Sequence, residues 1–171
     1  MPFAGDSFDF IYCNHVLEHT RNPSEVLDES VRVLTARGQM YATVVNRIAF
    51  RDPHYHLRLV NWMPRPLGEK YIKWRGRSEK NPLAKDRQRL SEMHYFTFDR
   101  IETMAAQAGF RVQDLTQYKM RHPELIGRSV AHKIARYQKL LKAVSPIYSL
   151  ARPFCLTEFN LLLQAAEPLE R

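Results

Sequence analysis

The chain has 171 residues, 44% hydrophobic and 26% charged, with a formal net charge of +8 and two cysteines. That balance fits a single globular domain spanning 1–171 and argues against a disordered chain, a repeat array or a disulfide framework. No stretch is apolar over the ~18 residues that a membrane-spanning helix needs, and the Met1–Asp6 start lacks the basic and apolar runs of a signal peptide, so the cytoplasm is the expected compartment.

The positive charge is local. Between Ala49 and Leu90, eleven basic residues stand against four acidic ones, with Tyr55, Trp62, Tyr71 and Trp74 interleaved. Such a block suits an anionic substrate, nucleic acid or an acidic lipid surface, or it is a solvated face.

Taken in chain order, Phe8 to Cys13 reads as a strand whose near-continuous apolarity fits burial on both faces. Asn22-Pro23-Ser24-Glu25 starts a helix: a capping side chain, proline at the first helical position, and a glutamate placed to bond back to the cap backbone. Val26, Leu27, Val31 and Leu34 recur at helical spacing and Gly38 reads as the terminator. Gln39 to Val45 is then a second strand, completing a βαβ unit. The proline-bearing stretch 47–93 is too long for a plain connection and reads as a basic, mostly helical and loop insertion. Thr97 caps a helix over Phe98, Ile101, Met104, Ala105 and Ala108 that ends at Gly109, and Phe110 to Tyr118 follows as a strand. A basic amphipathic helix is expected over Glu124 to Val144, and a last strand over Phe154 to Ala166.

The string PFAGDSFDFIYCNHVLEHTRNPSEVLDESVRVLTARGQMYATVVNR resembles the class I S-adenosylmethionine-dependent methyltransferases, specifically the type 11 group that includes quinone-biosynthesis methyltransferases. PFAGDSFD, VLEH, the Asn22-Pro23-capped helix and RVLTARG are similar, in the same order, to the family's P-F-x-D-x-S-F-D, V-L-E-H, D-P-capped helix and R-V-L-K-P-G-G, and HYFTFDRIETMAAQAGFRV resembles its later helix and A-G-F turn. The resemblance covers residues 1 to 46 closely and 94 to 118 well. It implies an α/β fold, with S-adenosyl-L-methionine as cofactor. The family's G-x-G-x-G turn is not spelled by Gly5, Gly38, Gly68, Gly76, Gly109 and Gly127. The expectation is therefore of the family's C-terminal part only: a partial Rossmann-like sheet of its last four strands, the N-terminal half missing, weak cofactor binding, and Phe8 to Cys13 as an edge open to a partner chain.

His15, Glu18 and His19 spell H-x-x-E-H, a zinc-peptidase pattern when carried on a helix. Here the string leaves a strand and precedes the capped helix, so it falls in a loop and no metal ligand is expected. Some quinone methyltransferases hold magnesium with E-x-x-E-H, but His15 replaces the first glutamate, and imidazole suits a hard ion poorly.

The resemblance instead implies that Asn14 and His15 lie beside the cofactor. For an oxygen acceptor, His15 or His19 would be the catalytic base, since imidazole titrates near neutrality. Asn46, Tyr55 and Trp62 are the expected acceptor-pocket residues, the acceptor being a small or lipid-like molecule. The alternatives are a non-catalytic partner subunit, joined as a homo- or hetero-oligomer through the first strand, and a nucleic-acid- or membrane-binding module built on the basic block.

Overall fold

The structure, a computed structural model, describes residues 2–75, 88–122 and 138–166. β1 (Phe8–Asn14) leads through a 3-10 turn at Leu17–His19 to α1 (Pro23–Val33), which returns the chain to β2 (Leu34–Val45). α1 starts as its sequence dictates. Asn22 is extended, its side chain accepts from Ser24 N, and Pro23 takes the first helical position. Glu25 does reach back, but to the Asn22 side-chain amide rather than to its backbone.

Gly38 does not end that helix. The chain is already extended at Leu34 (φ −79, ψ 142), and β2 starts there. Gly38 instead lies where the pairing with β1 jumps, since Phe8 faces Leu34 but Phe10 faces Gln39. A Cβ on Gly38 would stand 2.8 Å from Leu34 Cδ2 and 2.9 Å from Thr35 O, so glycine admits the bulge.

Beyond β2 come a 3-10 turn at Val60–Trp62, α2 (Arg65–Trp74), α3 (Phe98–Gln107), β3 (Phe110–Asp114), α4 (Leu115–Arg121), α5 (Gln138–Cys155) and β4 (Glu158–Ala165). The sheet order is β1-β2-β4-β3, with β1 parallel to β2 and β4 antiparallel to both its neighbours. This mixed four-stranded sheet with flanking helices is consistent with a Rossmann-like methyltransferase fold. No helix among the described residues is long and apolar enough to cross a membrane.

Several expected boundaries move. The strand from Phe110 stops at Asp114, whose carboxylate accepts from Thr116 N and Gln117 N and so caps α4. Phe154 and Cys155 close α5 rather than open the last strand, which begins at Glu158. Of the helix expected over 124–144, residues 124–137 lie outside the described residues; α5 begins at Gln138 and runs on to Cys155 past Pro146 and Pro153. β1 is not buried on both faces either. It is an edge strand, with Phe10 54% and Tyr12 67% exposed and only Cys13 buried.

The main core joins Leu27 of α1, Met40, Ala42 and Val44 of β2, Phe98, Ile101 and Ala105 of α3, and Phe159, Leu161 and Leu163 of β4. A second cluster, Tyr55, Leu57, Val60, Ile72, Leu90, Met93 and Tyr95, packs with Val45 at the end of β2. The 47–93 segment thus carries a small core of its own and is anchored where β2 stops.

Candidate functional site

β1 and β2 are parallel, so their C-terminal ends lie at one edge of the sheet, and antiparallel β4 brings its first residue there: Glu158 pairs with Val45. In open α/β sheets this is the edge where ligands bind. His15, the first residue after β1, has φ 52, and its N–H donates to Thr43 O. A non-glycine residue in the left-handed region costs of order 1 kcal/mol or more and is found disproportionately at functional sites.

Two carboxylates flank the His15 ring. Nδ1 is 2.9 Å from Glu18 Oε1, and Nε2 is 3.0 Å from Glu158 Oε2. His54 brings its Nε2 to 3.7 Å from the same Glu18 oxygen. Glu18 is fully buried, and its other oxygen, Oε2, has no hydrogen-bond partner among the described residues. Burial would push the Glu18 carboxyl up, but His54, its own backbone and His15 together outweigh that and hold it below the ordinary carboxylate value. The backbone is tied down as well, since His94 N donates to Glu18 O.

His54 is delivered by a tightly specified loop. Asp52 Oδ1 accepts from His54 N and Tyr55 N, Asp52 N donates to Leu57 O, and His56 N donates to Asp52 O. Arg51 and Arg58 pair across its base. On the other side His19 Nδ1 is 2.9 Å from Gln88 Oε1, while Gln88 Nε2 donates to His19 O. That second bond sets the amide's orientation, so His19 donates from Nδ1 and keeps Nε2 as an acceptor. His19, His54, Tyr55, His56 and Gln88 line a cavity of about 280 Å³.

Asn14 is exposed at the end of β1, and His15 and His19 meet around His54, with ring centroids 5.9 and 5.2 Å from it. Tyr55 is buried, and its hydroxyl donates to Gln88 O, so it supports the cavity wall. Asn46 is fully buried; its amide donates to Pro153 O and Leu156 O, and its oxygen accepts from Ile48 N. Trp62 lines a different hollow, of about 410 Å³, with Arg47, Ile48, Asn61 and Phe154. His54, Gln88 and Glu158 escaped the sequence reading. The Asp52-Pro53 pair signalled a turn there, but nothing in the sequence told which loop residue would face His15.

Residues 1–42 match the model of a methyltransferase domain family. The match spans β1, the turn, α1 and the first part of β2. It corrects the expectation of a chain that holds only the family's C-terminal part: the matching segment is the N-terminal region of this chain, so the N-terminal half is present. Over 55 residues, 32% of this chain and 27% of the relative, the chain is 34% identical to an uncharacterized protein of Methanocaldococcus jannaschii.

Among solved structures, it is similar to a methyltransferase of Haloferax volcanii in complex with the Trm112 methyltransferase activator (12% identity, 100% of this chain and 59% of that one, TM-score 0.48). A SAM-dependent methyltransferase of Methanosarcina mazei gives 17% identity, 97% and 63% coverage and a TM-score of 0.47. One from Thermotoga maritima gives 21%, 67% and 44%, and 0.41. The chain thus spans less than two thirds of the length of each of these proteins.

Proposed function

We propose that the chain serves S-adenosylmethionine-dependent methyl transfer, with the acceptor held in the cavity beside His19. The observation that carries this reading is the family match over residues 1–42, the segment that ends β1 in Asn14, His15 and the turn bearing His19. Asn14 and His15 stand on the cofactor side. S-adenosylmethionine, held there, would supply an activated methyl group to the acceptor oxygen, and the acceptor's proton would pass to a base on this chain. Of the two imidazoles, His19 is the better placed, since Gln88 takes its Nδ1–H and leaves Nε2 to accept. His15 has a carboxylate at each nitrogen. Proximity and alignment supply most of the remaining rate. Tyr55 positions Gln88, Asn46 acts through the fold, and Trp62 serves a more distant part of a lipid-like acceptor.

The test is titration calorimetry of the full chain with S-adenosylhomocysteine, followed by transfer of labelled methyl to phenolic, alcohol and amine acceptors. Binding at micromolar concentration, with His19→Ala lowering turnover of an oxygen acceptor by about 10²-fold or more at unchanged cofactor affinity, is the expected result. No binding of S-adenosylhomocysteine at millimolar concentration would sink it.

The exposed edge favours a second reading, a partner subunit joined through β1. Phe10 and Tyr12 are more than half exposed on a strand that, among the described residues, pairs on one side alone. Sedimentation would then show a dimer or hetero-complex that Tyr12→Lys dissociates, and a monomer at every concentration with every methyltransferase tried would dismiss it.

A further inference from the structure

We propose that His15, Glu18 and His54 form a binding site for one divalent first-row transition metal ion, with zinc the best fit, oriented by Glu158. The inference stands whether or not the chain transfers methyl groups. One ring nitrogen from each of His15 and His54 and a Glu18 oxygen all lie within 4.8 Å of one another. Two of the separations are 2.9 and 3.7 Å. Ligands each about 2.1 Å from a common ion stand about 3.0 to 3.5 Å apart, so the three atoms need little movement to surround one.

Proton bookkeeping at His15 points the same way. A neutral His15 ring cannot serve both carboxylates: a hydrogen on Nε2 for Glu158 leaves the Nδ1 lone pair facing Glu18 Oε1 at 2.9 Å, and a hydrogen on Nδ1 leaves Nε2 facing Glu158 Oε2 at 3.0 Å. Two acceptors at that distance require a cation between or beside them. A proton would serve Nδ1 and Oε1 but would leave Oε2 of a fully buried carboxylate without a partner. A metal ion beside Oε1 and Oε2 compensates the whole carboxylate and engages His54 as well.

The surroundings have the form such sites need. A histidine ligand ordinarily passes its other ring hydrogen to a carboxylate or carbonyl, and Glu158 is placed to receive it. The ligands come from two segments, each held independently: His15 and Glu18 by the strand end, the turn and the His94–Glu18 backbone bond, and His54 by the Asp52 turn. Two imidazoles and one carboxylate favour zinc and its neighbours over magnesium or calcium, which take oxygen donors. Three protein ligands leave a coordination position for water or a bound oxygen ligand.

The test uses the full chain, stripped with a chelator and titrated with cobalt(II), whose visible bands report donor set and geometry. Expected are one equivalent bound, bands of a nitrogen–oxygen donor set without thiolate charge transfer, displacement by zinc, and a Kd raised more than about tenfold by His54→Asn and about tenfold by Glu158→Gln. Both positions are partly exposed, at 23% and 35%, so these variants keep the fold where replacement of buried Glu18 would threaten it. Failure to bind one equivalent, a thiolate band marking capture by exposed Cys155, or an affinity unchanged in His54→Asn would each overturn the site.

Discussion

The side-chain amide of Asn46 donates to the carbonyl of Leu156 at 2.7 Å, joining the end of β2 to the approach to β4 across 110 positions of sequence. The same amide serves Pro153 O, and the Asn46 oxygen takes Ile48 N. Asn46→Ala strands three backbone groups, each costing about 1 to 3 kcal/mol if left unpaired in the interior. A loss of about 2 to 4 kcal/mol is expected from urea unfolding. Asn46→Asp, with no hydrogens to give, should be worse still. Full stability with reduced activity would instead return Asn46 to the acceptor pocket.

Gly38→Ala tests the bulge. The new Cβ meets Leu34 Cδ2 at 2.8 Å, Leu34 Cβ at 2.9 Å and the Thr35 carbonyl at 2.9 Å, and the last of these is backbone that must shift. A destabilisation of about 1 to 3 kcal/mol is expected, measurable as a lowered midpoint without a change in slope. If Gly38 were merely a helix terminator, the variant would cost less than about 1 kcal/mol.

Stability should fall at alkaline pH. Burial, and then the Glu18 charge, push the Cys13 thiol from 9.0 up to about 11. Burial, with Asp52 beside it, raises Tyr95, and burial, with Asp114 beside it, raises Tyr148, both above their ordinary 10.0. Below about pH 9 all three groups are protonated in both states, and their contribution is complete. Above it the unfolded chain ionises first, so stability is lost at about 1.4 kcal/mol per pH unit for each group that ionises only when unfolded. Chemical unfolding at pH 7, 9 and 11 should show most of the loss in the second interval, of order 4 kcal/mol. Equal free energies at pH 9 and 11 would contradict the burial of these side chains.

The two thiols should separate cleanly. Cys155 is exposed and Cys13 is buried. With a chromogenic disulfide at neutral pH, one equivalent reacts at once and the second only as fast as the chain opens, or immediately in denaturant. Two fast equivalents in the native state would place Cys13 in the open.

Elements announced by their own residues were legible in the sequence. Asn22-Pro23 fixed the start of α1, Thr97 that of α3, accepting from Arg100 N, and Gly109 at φ 99 the turn into β3. What misled were residues whose local meaning is double. Asp114 looks like a strand residue until the helix it caps is seen, and Gly38 looks like a cap until the β1 pairing is known. The site divides in the same manner. His15, Glu18 and His19 come from one short stretch, so a single window of sequence holds all three. His54 and Glu158 reach it only through a loop folded around Asp52 and through pairing of Val45 with Glu158, contacts that no short window of sequence contains. Asn46, a polar residue ending a strand, reads as a site residue, and packing had already claimed it.

The sheet order also sets a timetable. β4 is the last of the described strands, yet it lies between β2 and β3, and β3 pairs with nothing else among them. During synthesis, therefore, β1, α1 and β2 emerge with a complete local pairing, while β3 and the Glu158 side of the histidine cluster wait for Glu158–Ala165 to leave the ribosome. A nascent chain stalled before Glu158 would display the inner edge of β2 as well as the outer edge of β1, two unpaired borders on one ribbon. The chain is thus most exposed to aggregation in the interval between the emergence of β2 and that of β4.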